Sequence, residues 1–271
     1  MVSADVTKTH RLWRLLEFSV HSLNQAYGTA FVRRIVLRHP LRALRGAWTF
    51  GHTPQPGPSG ERLFGQCSQA EFLQRAASNG ERLLVATGFC QKPLRAAGSA
   101  SDCPAGRFNH DCLYLARLDL NPARAPQVAP ACADCSIRLL GHAALQAGAS
   151  FAILTSAQDI AHDVLLPALE EQRFRQVLLA ICPYSLEPMS LALCVCGLEG
   201  YVFAYDSGAC ADYPQWLRAD RGDKAECTTL PAHSLSRILH LLEHIAGDRA
   251  RQMPTGRAMH YVQKGNVFCP D

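Results

Sequence analysis

Apolar residues recur at two different spacings along the chain. Over residues 11–50 they fall every three or four positions, as in Leu12, Leu15 and Leu16, which predicts amphipathic helices. Four later runs are almost continuously apolar and end at breakers or cysteines. These runs predict buried strands over 82–90, 151–156, 176–182 and 200–206.

Helical patterns precede, separate and follow these strands. Ser68 and Ser156 stand where N-caps are expected. The predicted helices cover 68–80, 132–148, 157–174, 183–197 and 233–247. Apolar strands that alternate with helices are typical of a parallel sheet covered on both faces. The sequence therefore predicts an α/β fold: a small parallel sheet with helices on both faces, a cysteine-rich irregular insert and an N-terminal amphipathic helical arm.

Breakers divide the chain into an arm, a linker and a main domain. Residues 51–62 contain three prolines and three glycines, which is typical of a linker. It separates a basic amphipathic helical arm, 1–50, from an α/β cysteine-rich domain, 63–271. Within that domain we expect three parts: an irregular cysteine-rich part, a parallel α/β part, and a helix with a tail, over 63–131, 132–230 and 231–271.

Positive charge is concentrated in the arm. Residues 1–50 carry eight basic and two acidic side chains, a net charge of +6, whereas the whole chain has +4 and the remainder is therefore −2. A basic amphipathic segment with Trp13 and Phe18 packs on its own domain or a protein partner, or lies on an anionic membrane surface through residues 11–50. Nucleic acid is disfavoured, because no aromatic and basic residues interleave elsewhere.

The compartment matters because the chain has twelve cysteines in 271 residues. The first residues form no clean apolar core with a cleavage site, and no run of 18 apolar residues follows. We therefore expect a cytoplasmic protein, with peripheral membrane association through the arm as an extension. Thiols stay reduced in that compartment, so the cysteines are candidates for metal ligands, redox groups or core residues.

Several cysteines follow predicted strands directly. Cys90 and Cys182 close two strands, and Cys210 lies in the loop after a third. Ligands of an open parallel sheet bind outside the carboxyl ends of its strands, so we expect these thiols at one edge. Cys132 and Cys135 open a predicted helix, where the helix dipole is expected to lower thiol pKa values.

The spacing of five cysteines points to a metal. Their pattern is C-x12-C-x8-C-x19-C-x2-C in a breaker-rich region, and the final C-x2-C pair can hold one metal site with two thiolates. We expect an iron–sulfur cluster, of the 4Fe–4S type, with zinc as the alternative. The expected cofactor-binding residues are Cys90, Cys103, Cys112, Cys132 and Cys135. The expected metal ligands are these five cysteines together with Cys182 and Cys210, and His110 is an alternative ligand.

Other motifs give weaker signals. Residues 240–244 fit H-x-x-E-H, but no later glutamate completes a zinc-protease site, and the helix around them has an ordinary amphipathic pattern. Nucleotide-binding glycine motifs are absent. Four of the remaining cysteines are expected to be buried or incidental thiols: Cys67, Cys194, Cys196 and Cys227. Cys269, near the end of the sequence, is a candidate free thiol.

A family resemblance covers roughly residues 132–212. The stretches 131–137, 147–155, 178–182 and 206–210 are similar to the domain-of-unknown-function family 116, which is described as a set of iron–sulfur proteins. The resemblance implies cysteine-ligated metal on a small α/β domain. By matching position it nominates Cys132, Cys135, Cys182 and Cys210, with the upstream Cys90, Cys103 and Cys112 as further candidates. It implies no reaction.

The function expected from these features is that of a cysteine-ligated metal protein. It would act as a redox or accessory factor to another enzyme. Two alternatives stay open: a zinc-stabilised interaction module without catalysis, and a thiol-dependent enzyme with one activated cysteine, Cys135 or Cys182. No catalytic residue is predicted beyond these, and whether the chain is an enzyme stays undecided.

Overall fold

One mixed sheet organises the chain. The structure, a computed structural model, describes residues 4–57, 59–94, 102–120, 127–252 and 261–271, with side chains from residue 13 onward. In that part the strands are β1 (Glu61–Phe64), β2 (Leu83–Gly88), β3 (Ser150–Leu154), β4 (Gln176–Ile181), β5 (Glu199–Ala204), β6 (Tyr261–Lys264) and β7 (Val267–Pro270). Their spatial order is β1-β5-β4-β2-β3-β7-β6. The four central strands β5, β4, β2 and β3 are parallel, and β1, β7 and β6 extend the sheet antiparallel at its two edges.

Helices surround this sheet. They are α1 (Ala4–Leu23), α2 (Ala26–Phe31), α3 (Pro40–His52), α4 (Gln69–Ser78), α5 (Leu113–Ala116), α6 (Ser136–Gln146), α7 (Ala157–Ile160), α8 (Leu186–Val195), α9 (Tyr213–Asp220) and α10 (Ala232–Gln252). Wider π-helical turns, Val32–Val36, Ala161–Leu165 and Pro167–Glu171, follow α2 and α7.

Each face of the sheet has its own core. Helices α4, α6 and α10 cover one face and pack on alternate strand residues such as Val85 and Phe151. On the other face, Leu84 and Ala152 pack with α3, α8 and the π-helical turns after α7. Because successive strand residues point to opposite faces, both sets of positions must be apolar, as the near-continuous strands predict. The predicted α/β fold with helices on both faces is confirmed.

The order of the parallel strands creates a switch point. The chain passes from β2 to β3 on one side, then returns across β2 to β4 and continues to β5. The connections after β2 and β3 therefore lie on opposite faces of the sheet, which leaves a crevice between the carboxyl ends of β2 and β4. That crevice is where a doubly wound sheet binds ligands.

Local capping agrees with the sequence. Ser68 caps α4 and forms a capping box with Glu71, whose carboxylate accepts from the Ser68 backbone N–H at 2.7 Å. Ser156 accepts from the Asp159 N–H at the start of α7. Gly148, with a φ of 71°, follows the end of α6 in the left-handed region that favours glycine.

The arm packs against the sheet domain. Helices α1 and α3 both contact α8. Gly46 permits the closest approach, since a Cβ there would lie 2.3 Å from Val195 Cα. Within the segment predicted as a linker, α3 continues to His52 and β1 begins at Glu61. Among the described residues, no helix combines the length and the hydropathy needed to cross a membrane.

Three elements differ from the prediction. The short strands β1 and β7 and the helix α9 were not expected, and the sheet is mixed instead of wholly parallel. Each of these strands has four residues, too few for a periodic signal, and both run antiparallel to a strand that is distant in sequence.

Candidate functional site

Three of the predicted cysteines meet at the carboxyl edge of the sheet. Cys90 lies two residues past β2, Cys182 directly follows β4, and Cys210 lies in the loop after β5. All three are buried. We call them the strand-end group. Cys90 and Cys182 flank the switch point, so the expectation that strand-end thiols converge on this edge is confirmed.

Segment 227–229 holds this group together. The Thr228 N–H donates to the Cys90 carbonyl at 2.9 Å, and the Thr228 hydroxyl donates to the Gly208 carbonyl at 3.0 Å. Gly208 has a φ of 66°, and a Cβ at that position would lie 2.3 Å from the Cys227 carbonyl oxygen. The glycine is therefore required where the loop that carries Cys210 crosses this segment.

Cys182 and Cys210 form a thiol–thiolate pair. The Cys182 thiol donates to the Cys210 sulfur, and this bond together with the positive charge of Lys224 lowers the pKa of Cys210 to about 7. The same bond raises the pKa of Cys182 well above the ordinary range, and burial raises it too. The Cys210 N–H in turn lies 3.4 Å from the Cys182 sulfur and donates to it. The lowered pKa of the pair thus belongs to Cys210, and the pKa of Cys182, an alternative nucleophile in the sequence analysis, is raised.

Lys224 supplies the positive charge beside this pair. Its side chain is only 7% exposed, and its ammonium lies 3.4 Å from the Glu226 carboxylate, which faces solvent. A cation this close favours the thiolate form of Cys210.

A cavity opens over the strand-end group. It has a volume of about 440 Å³ and separates the carboxyl edge of the sheet from the arm. Its floor includes Cys90, Cys182, Cys210 and Lys224, and its opposite wall is formed by α1, α2 and the turn after α2. Most of the lining is apolar, as is typical of pockets that bind small organic molecules.

The other four candidate cysteines gather in the irregular insert between β2 and β3. Cys103 begins a turn, Cys112 precedes α5, Cys132 ends a short 3-10 turn, and Cys135 is the N-cap of α6. Burial raises the pKa of Cys112, and the thiols of Cys103 and Cys132 raise it further. The thiols of Cys112 and Cys132 likewise raise the pKa of Cys135. We call these four residues the insert group.

Lys92 lies beside the insert group and is 1% exposed. Its ammonium donates to the Gly106 carbonyl at 3.1 Å and to the Asn109 side-chain oxygen. Burial lowers the pKa of Lys92, while the thiolate forms of Cys103, Cys112 and Cys135 and the Asp111 carboxylate oppose that change. A buried cation among neutral thiols is costly, and an anionic ligand would balance it.

Backbone N–H groups point at two sulfurs of the insert group. Those of Tyr114 and Leu115 donate to Cys112, and those of Ile137 and Arg138 donate to Cys135. Such bonds stabilise thiolate ligands and tune the potential of an iron–sulfur cluster. Four thiols, four N–H donors and one buried ammonium together fit an anionic metal–sulfur centre.

Zinc and a four-iron cluster require different spacings of the ligand sulfurs. A tetrahedral zinc site places its sulfurs roughly 3.8 Å apart, given Zn–S bonds near 2.3 Å. In the described part of the chain, no three cysteine sulfurs lie within 4.8 Å of one another. A four-iron cluster is larger and puts each thiolate on a separate iron, so it requires the wider spacing.

The predicted effect of the helix dipole on Cys132 and Cys135 is wrong. Burial raises the pKa of Cys135 to about 11, although the N–H groups of Ile137 and Arg138 lower it, and burial also raises that of Cys132. Desolvation of the thiolate therefore exceeds the contribution of the helix terminus. A raised pKa lowers the thiolate fraction of Cys135 at neutral pH.

The seven predicted ligands thus divide into four and three. Cys90, which was grouped with the insert cysteines, has Cys210, Lys224 and Arg107 as its electrostatic neighbours instead. The set nominated by the family resemblance is divided as well, with Cys132 and Cys135 in the insert group and the other two in the strand-end group. The two groups are neighbours, because Cys90 and Lys92 are two residues apart.

His110 belongs to neither group. One ring nitrogen contacts the Ile153 carbonyl at 2.7 Å and the other lies 3.5 Å from the Asp159 carboxylate. His110, Asp159 and Asp163 are the one set of three such ligands within 4.8 Å in the described residues. Asp159 is already occupied by hydroxyl donors, including Ser156 at 2.8 Å, and Asp163 accepts from Asn266.

The remaining motifs lie apart from these groups. His240, Glu243 and His244 are largely exposed on α10, and their contacts are local ones along that helix. Cys194 and Cys196 are buried as expected, whereas Cys67 and Cys227 are half-buried. Cys269 is buried as well, and its sulfur accepts from the Arg173 guanidinium at 2.6 Å.

The sequence prediction missed both lysines. The chain has only four lysines among 27 basic residues, and two of them, Lys92 and Lys224, have buried side chains beside cysteines. That rarity was the available signal, since a chain that uses arginine at its surface has a reason for each lysine.

Comparison with known proteins gives no match among protein-family models, curated proteins or solved structures. The resemblance to the domain-of-unknown-function family 116 therefore stays a prediction.

Proposed function

We propose that the chain is an iron–sulfur protein that serves as a redox or accessory factor to another enzyme. Cys103, Cys112, Cys132 and Cys135 are the ligands in this proposal. The observation that carries it is a group of four neighbouring thiols, three of which interact with the buried ammonium of Lys92.

Three features favour a cluster over zinc. The sulfurs are spaced more widely than a single tetrahedral ion requires. Backbone N–H groups donate to two of them, and a buried cation offsets the negative charge of a cluster with four thiolates. When bound, a cluster supplies one-electron transfer, and the insert would shield it from solvent.

Metal and sulfide content of anaerobically purified protein tests this proposal. We expect about four iron and four sulfide per chain, broad absorption near 400 nm, and an EPR signal after reduction with dithionite. Stoichiometric zinc that persists in air would instead establish a zinc-stabilised interaction module. A colourless protein with neither metal would exclude both.

We further propose that the arm binds the surface of an anionic membrane. Eight large apolar side chains of the arm face solvent, and the most exposed is Leu41 at 80%: Trp13, Leu16, Val20, Leu23, Leu37, Leu41, Leu44 and Trp48. Five arginines of the arm are exposed as well: Arg33, Arg34, Arg38, Arg42 and Arg45. This combination is typical of helices that lie in the interface of anionic lipid.

Co-sedimentation with vesicles tests the arm. We expect binding to vesicles that contain phosphatidylglycerol and little binding to phosphatidylcholine alone. Val20→Asp is expected to weaken binding at least about tenfold, because it removes apolar contact and adds negative charge. Val128→Asp, at an exposed valine outside the arm, is the matched control. Equal loss in both variants would contradict a role of the arm.

A further inference from the structure

The cavity over the strand-end group is separate from the insert group. It lies at the switch point, where ligands of doubly wound sheets bind, and its volume of about 440 Å³ falls in the range of small-molecule sites. Neither the four insert cysteines nor Lys92 line it. A ligand of this cavity would therefore bind independently of the metal proposed for the insert group.

The lining defines the chemistry of that occupant. Apolar side chains of the arm, such as Phe18 and Phe31, face apolar residues of α8, such as Met189, across the cavity. The few hydroxyl groups of the lining include those of Ser22 and Tyr27, which bond to each other at 3.1 Å, so a ligand between these walls meets mainly apolar surface. It must be apolar over most of its length.

In the described part of the chain, two residues of the lining have a formally charged side chain, and the Cys210 thiol at the floor is a further ionisable group. The Asp220 carboxylate is engaged, because it accepts from the Ala157 N–H at 2.5 Å. Lys224 is the remaining charged group of the lining, beside Cys210 at the floor, and its ion-pair partner Glu226 faces solvent. The cavity is thus an apolar chamber with a cation at one place.

We propose that this cavity binds an amphiphile with an apolar chain and an anionic head group. The head group lies at Lys224, above Cys182 and Cys210, and the chain lies between the arm and α8. The volume, the apolar walls and the single buried cation all match a long-chain carboxylate.

Calorimetric titration with palmitate, without vesicles and below its critical micelle concentration, tests the proposal. We expect one palmitate per chain. Myristate and laurate should bind progressively more weakly, by about fourfold for each methylene removed, because each loses apolar contact. Hexadecanol, which keeps the chain and lacks the charge, should bind about tenfold more weakly than palmitate.

Two variants separate the head-group site from the chain site. Lys224→Met should abolish the preference for palmitate over hexadecanol while hexadecanol still binds, which also shows that the variant folds. Ala192→Phe should fill the chain site and abolish binding of both molecules. Lys264→Met and Ala250→Phe, at residues outside the cavity, are the matched controls.

Three results would overturn the proposal. These are a stoichiometry of many palmitates per chain, an unchanged affinity in Ala192→Phe, and an equal loss of preference in Lys224→Met and Lys264→Met. Iron content measured on the same samples separates this outcome from that of the metal proposal, since either can fail while the other holds.

Discussion

The two cysteine groups lie on neighbouring parts of one sheet edge, yet they differ in what surrounds the sulfurs. The insert group has four thiols, backbone N–H donors and a lysine that is fully enclosed. The strand-end group has three thiols, of which two share a proton, and it faces a cavity. Residue type alone therefore does not determine the chemistry. The number of neighbouring thiols and the presence of a cavity beside them also determine the chemistry of a cysteine group.

Removal of one insert thiol gives the largest expected effect. Cys112→Ser should lower the iron content at least about tenfold, because a four-iron cluster needs a thiolate on each iron. Cys182→Ser should retain the iron of the unmodified protein. Iron and sulfide assays with absorption spectra measure both. Comparable loss in the two variants would remove the distinction between the groups.

The second test concerns the two lysines. Lys92→Met removes a buried positive charge beside the proposed cluster, which should make its reduction potential more negative by on the order of tens of millivolts. Lys224→Met, the control at the other group, should leave the potential unchanged. Redox titration followed by EPR measures both. A shift of the same size in the control would show that charge position does not matter.

Alkylation distinguishes the groups by thiol reactivity. Cys210 should react with iodoacetamide about tenfold faster than any other cysteine at pH 7, since a lowered pKa increases the thiolate fraction. Its rate should rise as the pH increases through about 7, where the thiol loses its proton. Lys224→Met should move that midpoint to higher pH. Mass spectrometry of the labelled peptides measures the rates, and fastest labelling at Cys135 would contradict the assignment.

A cysteine outside both groups gives the smallest expected effect. Cys194 is buried against the face of the sheet that packs on α3 and α8. Cys194→Ala should cost about 1 kcal/mol of unfolding free energy, through a small cavity, and leave both iron content and Cys210 labelling unchanged. Denaturant unfolding measures the change in unfolding free energy. Loss of iron in this variant would show that Cys194 contributes to the metal site.

The sequence predicts those parts of the fold that depend on local patterns. Four apolar strands, the Ser68 cap and the strand-end position of Cys90 and Cys182 follow from periodicity and from the rule on strand ends. These features involve neighbours in sequence or the common direction of parallel strands. The antiparallel strands β1 and β7 depend on distant partners, so a four-residue run carries no signal of them.

The division of the cysteines required the path of the insert. Cys90 and Cys103 look alike in sequence, and only the turn around Lys92 assigns them to different groups. The cavity likewise depends on where the arm returns over the sheet, because residues such as Phe18 and Cys210 are far apart in the chain. Long-range placement of this kind has no periodic signature.

The insert lies within the crossover that joins β2 to β3, and this position has a consequence for chain entropy. Residues 89–149 must close a long loop before two parallel strands pair. A centre held by Cys103, Cys112, Cys132 and Cys135 would divide that loop into short closed segments, much as a set of crosslinks does. Assembly of the centre would then stabilise the central strands of the sheet as well as the insert, and the crossover would be the first part of the metal-free chain to open.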